Sequence, residues 1–517
     1  MAASSSSASS ALFGGGSSTN YGGTAASDRL GIRSSMFASG YRSGYGGSSG
    51  DGAAPYIAEF LGTFIVVFAV GCIVLSPGNP VWSPVAIGCV LMAMIYATAN
   101  VSGGNLNPAV TFSLGLIGHL RWVVVVRYWL AQFGAGILAA LCAHALFSPD
   151  RPRSVTPIPP FTWEYAVTAE VIFTFLLCFV FNNCFASKRN NPREDANQFY
   201  AVAMGFATVA GGYAANRISG AAFNPAIAIG LSTDGVRWSV AWIVAEFVGA
   251  VLAAIMFRAV RPEEYNPPEG ACLAEYEPRL HVRCASESLG TFMVVLTFGL
   301  NLTMATPAKP FSSAAVLACF MYSLGNVSGA HLNPVVTMSV VLSGRDKCSP
   351  ADGAAYIVCQ VLSGACAGLL YAQYHSIGPN SGLTFALAPG ATYGPNAAGV
   401  VELFFAFILA YAYLACATAG TPGTWRTKQR FYVALVIGSC VLAGGIAVGP
   451  ISGGEFNPAI SVGVATANLA HSGRTPAPPF ASCIVLSLWQ LTGGLLASVV
   501  FSLTYPDEYK KAPLLAQ

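Results

Sequence analysis

A chain of 517 residues that is 54% hydrophobic and only 9% charged lies far below the about 25% charged residues of soluble domains, which excludes an ordinary soluble globular protein. The formal net charge of +3 gives no basis for a nucleic-acid partner. The fourteen cysteines stand singly in apolar segments, as at Cys72, Cys178 and Cys440. With no CxxC spacing among them they read as small buried hydrophobes, and no metal or disulfide framework is expected.

Residues 1–54, with "MAASSSSASSALFGGGSS" and "GYRSGYGGSSG", are too rich in Ser and Gly to bury a core. They lack the apolar stretch of a secretory signal and read as a disordered cytosolic tail. A Ser-rich, acid-poor segment dotted with Arg29, Arg33 and Arg42 is also compatible with an organellar transit sequence. Apolar segments long enough to approach the roughly 20 residues of a membrane span follow near 56–75, 84–100, 122–147, 163–183, 199–215 and 239–258. A polar, proline-broken linker covers 259–279. A second set lies near 283–304, 311–325, 351–375, 399–419, 431–448 and 482–503, before a short tail at 507–517. The two units therefore span 55–258 and 280–506.

The sets are copies. "AEFLGTFIVVFAVG" from Ala58 matches "SESLGTFMVVLTFG" from Ser286, and "AEVIFTF" from Ala169 matches "VELFFAF" from Val401. Within each unit the span carrying Glu59 or Glu287 is echoed three spans later by the span carrying Glu170 or Glu402. An odd number of spans between copies inverts the second copy, so each unit is an inverted repeat of the kind many transport proteins use. Placing both termini in the cytosol puts 19 of the 25 Lys and Arg residues in inner loops, as the positive-inside rule requires. The outer loops keep Arg151, Arg153, Arg217, Arg237, Lys309 and Arg474.

Four Asn-Pro steps interrupt this apolar sequence: "SGGNLNPAVTF" from Ser102, "SGAAFNPAIAIG" from Ser219, "SGAHLNPVVTM" from Ser328 and "SGGEFNPAISVG" from Ser452. A given tripeptide is expected on the order of 0.1 times in a chain of this length, so chance does not supply four in matching contexts. Asn is a favoured N-cap and Pro suits the first helical position. The apolar run after each step is too short to cross, which predicts a half-helix entering the membrane and stopping. Irregular backbone at that depth requires burial in protein or a wet cavity. Two inverted half-helices meeting at the midplane would present two positive dipole ends and two Asn donors to water, and would oppose cations and protons.

Together with "YWLAQFGAG" and "CQVLSGACAG", these motifs resemble the aquaporin (major intrinsic protein) family twice over, across nearly all of 55–506. The resemblance implies an all-α polytopic membrane protein of two bundles, each with six transmembrane helices and two re-entrant half-helices. It implies pore boxes Asn107-Pro108-Ala109, Asn224-Pro225-Ala226, Asn333-Pro334-Val335 and Asn457-Pro458-Ala459. Glu59, Glu170, Glu287 and Glu402 would hydrogen-bond the half-helix loops, since an intramembrane carboxylate persists only with partners. In the family the second box is normally followed by an arginine that lines the narrowest constriction. Here Ile227 and Ile460 stand in that place. The other filter positions carry over to Ile87, Gly212 and Ala221 in the first unit and to Ser313, Gly445 and Gly454 in the second. Both filters are thus expected to be wide and mostly apolar, with loose selectivity.

Glu455 could place negative charge at the outer mouth or tuck into the protein, and Arg217 is expected in the outer loop rather than in the filter. Glu246, Gln490, Gln132 and Gln360 are expected to hydrogen-bond within the bundles. The implied function is a passive channel, without cofactor or enzymatic activity, for water and small uncharged solutes such as glycerol or urea. The competing reading is a non-conducting structural membrane protein that keeps the fold. The family's tetramers imply that this chain dimerises into a pseudo-tetramer in a lipid bilayer, with the plasma membrane as the default location.

Overall fold

The computed structural model describes residues 52–510, apart from 77–78, 148–155, 193–195, 232–235, 268–272, 274–275, 385–388, 391, 422–430 and 472–478. The expected tails, except for their residues nearest the two units, and part of the linker lie outside the described residues. Among the described residues every regular element is helical. The first unit runs α1 (Ala54–Leu75), α2 (Ser83–Ser102), α3 (Pro108–Leu116), α4 (Trp122–Phe147), α5 (Trp163–Phe181), α6 (Tyr200–Ser219), α7 (Pro225–Gly230) and α8 (Val236–Val260). The second repeats it as α9 (Leu280–Thr303), α10 (Lys309–Leu324), α11 (Pro334–Leu342), α12 (Pro350–Ile377), α13 (Pro395–Tyr413), α14 (Phe431–Ser452), α15 (Pro458–Ala470) and α16 (Ala481–Thr504).

Local chemistry sets the starts and stops. Proline occupies the first turn of α1, α2, α10, α12 and α13, where its missing N–H costs nothing. Gly103 and Gly220 end α2 and α6 in the left-handed conformation, at φ 95° and 88°, as C-terminal glycines do. The backbone then turns towards a half-helix. Those half-helices, α3, α7, α11 and α15, have 9, 6, 9 and 13 residues, too few to cross. Each second half-helix lies hard against the third span of its unit. A Cβ on Gly136 would stand 2.5 Å from the Ala226 carbonyl oxygen, and one on Gly364 would stand 2.3 Å from that of Ala459.

The twelve expected spans are all present as long helices, but only ten are long and apolar enough to cross a membrane by those criteria alone. The exceptions are α6 and α10. They pack on one another where the units meet, so neither needs a lipid-compatible surface all round. In α10, 16 residues long, every residue from Ser312 to Leu324 is buried. Ser312 Oγ donates to the Ala210 carbonyl at 3.0 Å across this junction, and the Phe199 and Tyr322 rings stack at 4.5 Å. Arg261, wholly buried, bridges the units through Nε to Asn183 Oδ1 at 2.9 Å and through a guanidinium nitrogen to the Ser323 carbonyl at 2.7 Å. The outer surface carries exposed Leu130, Leu141, Ile255, Leu362, Phe404 and Leu495, a face suited to acyl chains.

Candidate functional site

Each of the four Asn-Pro loops is built in the same way. The residue before the asparagine (Leu106, Phe223, Leu332 and Phe456) has a φ of 50° to 51°, a left-handed conformation that costs a residue with a side chain roughly 1–2 kcal/mol. A buried glutamate offsets that cost. Glu59 accepts from Ser102 Oγ at 2.6 Å and the Asn105 N–H at 3.0 Å on one oxygen, and from the Leu106 N–H and Gln132 Nε2, both at 2.8 Å, on the other. Glu287 repeats this with Ser328, His331, Leu332 and Gln360 at 2.6 to 2.9 Å. Glu402 repeats it with Ser452, Glu455, Phe456 and Gln490 at 2.6 to 3.1 Å. Glu170 takes Ser219 Oγ at 2.5 Å and the Ala222 and Phe223 N–H groups at 3.1 and 2.9 Å.

Where the other three have a glutamine, Glu170 has Glu246. Glu246 is fully buried, and no side chain donates to either carboxyl oxygen; the group that faces it is the Asn224 backbone N–H. A glutamine amide always donates to the neighbouring carboxylate, whereas a carboxyl group donates only while it holds its proton. Gln132, Gln360 and Gln490 do bond as expected.

The asparagines close the arrangement. Each side-chain oxygen caps its own half-helix, accepting from the N–H of Ala109, Ala226, Val335 or Ala459 at 2.8 to 3.0 Å. Each amide nitrogen also donates across to the opposite loop. Asn107 bonds the Phe223 carbonyl at 2.9 Å and Asn224 the Leu106 carbonyl at 3.0 Å. In the second unit Asn333 bonds the Phe456 carbonyl at 2.9 Å and Asn457 the Leu332 carbonyl at 3.0 Å. Because an amide nitrogen carries two hydrogens, each asparagine keeps a further donor. All four line cavities. Val335 in place of alanine leaves the cap intact.

There is one such cavity per unit. The first, about 700 Å³, is lined by Asn107, Asn224 and all four positions carried over as its filter: Ile87, Gly212, Ala221 and Ile227. The second, about 30 Å³, is lined by Asn333, Asn457, Ser313, Gly445, Gly454 and Ile460. The second cavity is therefore much the smaller of the two. Its lining carries larger side chains at equivalent places: Phe298 where the first has Val70, Lys309 for Ser83, His331 for Asn105 and Glu455 for Ala222. The fifth-span glycines also have a packing reason, since a Cβ on Gly212 or Gly445 would lie 2.8 or 2.7 Å from the Cβ of Pro84 or Pro310.

Glu455 tucks into the protein and still lines the second cavity. It is 4% exposed and accepts from Ser461 Oγ at 2.5 Å. Arg217 is exposed and donates to the Met304 carbonyl at 3.3 Å, away from either cavity lining. Sequence reasoning left Lys309 among the outer-loop charges. Its ammonium instead donates to the Gly453 carbonyl at 3.0 Å inside the second cavity's rim. The signal was its place immediately before Pro310 at the head of a span. Among the described residues no cluster of His, Cys, Asp and Glu suits a metal.

Comparisons with known proteins agree with this double construction. The chain matches the family described as Major intrinsic protein over residues 49–257 and again over 274–501. It is 30% identical over 46% of its length to 94% of Probable aquaporin TIP3-2 of Arabidopsis thaliana. Aquaporin NIP1-4 of Oryza sativa subsp. japonica is also 30% identical, over 40% of this chain and 76% of its own. Among solved structures, the aquaglyceroporin from Plasmodium falciparum aligns with a TM-score of 0.37 at 18% identity, over 41% of this chain and 99% of its own.

Proposed function

We propose that this chain, which belongs to the major intrinsic protein family, carries water and small uncharged solutes passively across a membrane through two pores of unlike width. The carrying observation is the crossed asparagine pair in each cavity. Two half-helix N-termini converge there, so their partial positive charges and amide donors act on the same short stretch of lumen. A water passing them turns its oxygen to both, which interrupts a proton wire. The first pore, about 700 Å³ with Ile87 and Ile227 on its wall, has room for polyol- or urea-sized solutes. The second, about 30 Å³, holds only a few waters and favours water over larger solutes. That narrowness is also the one observation favouring the competing non-conducting reading, for the second unit alone.

Stopped-flow light scattering on proteoliposomes in hyperosmotic glycerol tests the proposal. Fast shrinkage followed by fast re-swelling is the expected record. Traces no faster than those of empty liposomes would refute conduction by the chain.

The assembly we propose is a dimer of chains with four pores. Within the chain, α5 and α6 meet α9 and α10, and the apolar cores of α5 and α9 are 67% and 72% buried. Their counterparts α13 and α1 are only 39% buried each, which leaves a matching pair of faces for a second copy. Crosslinking should stop at two chains per particle. Cytosolic termini and the plasma membrane remain our proposed setting.

A further inference from the structure

We propose that Lys309 is the filter cation of the second pore, standing in for the arginine that Ile460 displaces. The assignment rests on the channel reading above. Lys309 opens α10, and its side chain folds over the rim of the second cavity, which it lines together with all four carried-over filter positions. Two contacts fix the ammonium. Nζ donates to the carbonyl of Gly453 at 3.0 Å, one residue before Gly454 of the filter, and sits 4.7 Å from the centroid of the Phe298 ring. Phe298 belongs to the same cavity wall.

The first unit supplies the internal comparison. Ser83 and Val70 line its cavity where the second has Lys309 and Phe298, so it lacks both the cation and the ring that seats it. Among the described residues lining the first cavity there is no Lys or Arg.

The ammonium carries three donors and no acceptor, of which one is engaged by Gly453. The others can donate to the oxygen of a passing water or hydroxyl, the task a filter cation performs. Its charge also repels protons and metal cations at the rim of that cavity. Glu455 lines the same cavity with one oxygen engaged by Ser461, and it offsets part of that charge without removing the donor. The second pore is therefore guarded by charge and width together, and the first by its asparagines and helix ends alone.

The test uses the full chain in proteoliposomes carrying an entrapped pH dye, with water flux recorded in parallel. Ile227→Arg serves as the background, because the first cavity has space for a guanidinium and the remaining proton flux then reports the second pore. In that background Lys309→Met should raise proton flux by about 10- to 100-fold, as expected for a unit charge removed from about 6–12 Å of the path at an effective dielectric of about 20. Water flux should persist, and Lys309→Arg should keep proton flux at its starting level. Repeating the Lys309 pair without the Ile227 change covers a background variant that fails to assemble.

Unchanged proton flux in Lys309→Met, with water flux intact, would overturn this assignment and leave the channel reading standing. Proton flux raised equally in Lys309→Met and Lys309→Arg while the protein stays monodisperse would overturn it too, by making the residue structural. Absence of water flux in the unmodified chain would overturn both readings.

Discussion

Replacing Glu246 by glutamine should stabilise the first unit. In the other three loop clusters a glutamine Nε2 donates to the buried glutamate at 2.8 to 2.9 Å. At the fourth, Glu246 is fully buried and no side-chain donor satisfies its oxygens. A buried polar group left unsatisfied costs about 1–3 kcal/mol, and a hydrogen bond to a charged group contributes about 1.5–3 kcal/mol. Glu246→Gln removes the first and supplies the second towards Glu170. Full additivity does not hold between contacting groups, so a gain of about 2–3 kcal/mol is the reasoned figure. For a unit of this size that is a rise of about 4–12 °C in apparent melting temperature. Thermal unfolding of the full chain in detergent, followed by intrinsic fluorescence, measures it. The reverse change, Gln490→Glu, recreates the defect in the second unit and should lower the transition by a similar amount. A Glu246→Gln transition at or below that of the unmodified chain, with Gln490→Glu neutral, would refute the reasoning.

Asn224→Ala removes the cap on Ala226 and the bond to Leu106. We predict a loss of about 2 kcal/mol with a fall in glycerol re-swelling, checked by melting and stopped-flow on the same preparation. Gly364→Val drives a side chain into the Ala459 carbonyl, 2.3 Å from a built Cβ. It should destabilise by about 3 kcal/mol or more and appear as aggregation on size exclusion, whereas Gly449→Ala, with nothing within 4 Å, should not aggregate. His119 lies in the loop after α3, where burial, aided by Lys188 and opposed by Glu264, pushes it down to about 4. Between about pH 6.5 and 4 the unfolded chain then binds the extra proton, so stability falls as pH drops through that window, by about 3 kcal/mol at most. Melting temperatures from pH 7 to 4.5 should show that decline and should flatten in His119→Gln; parallel curves would dismiss the residue.

The repeated Asn-Pro boxes, the paired glutamates and their three glutamine partners were legible because each recurs at matching offsets in a duplicated, inverted chain. The spans followed from apolar runs. What escaped depends on contacts between distant segments. Lys309 reads as an outer-loop charge until its side chain is seen folding onto Gly453, 144 positions along the chain. The smaller volume of the second cavity goes with Phe298, Lys309, His331 and Glu455 in its wall, which come from separate segments of the chain. The shared-filter reading of Gly212 and Gly445 missed that both also make room for a proline. Arg261 looked like part of a polar linker, yet it is buried where the units meet, because the interface that hides it is formed by the second unit.

That interface has a bearing on how the assembly can diverge. In a ring of two such chains, unlike pores are always neighbours and like pores always sit across the diagonal. Every contact around the ring then joins a first unit to a second, but the contacts are of two kinds. One, sealed by Arg261, Ser312 and the Phe199–Tyr322 stack, is intramolecular and forms at the high effective concentration set by a short linker. In the proposed ring the other, α13 and α14 against α1 and α2, would form by collision in the bilayer. Mutations that weaken the first are buffered by the tether, while equivalent mutations in the second act directly on assembly. The two seams of the proposed ring would therefore differ in how far a mutation disturbs them.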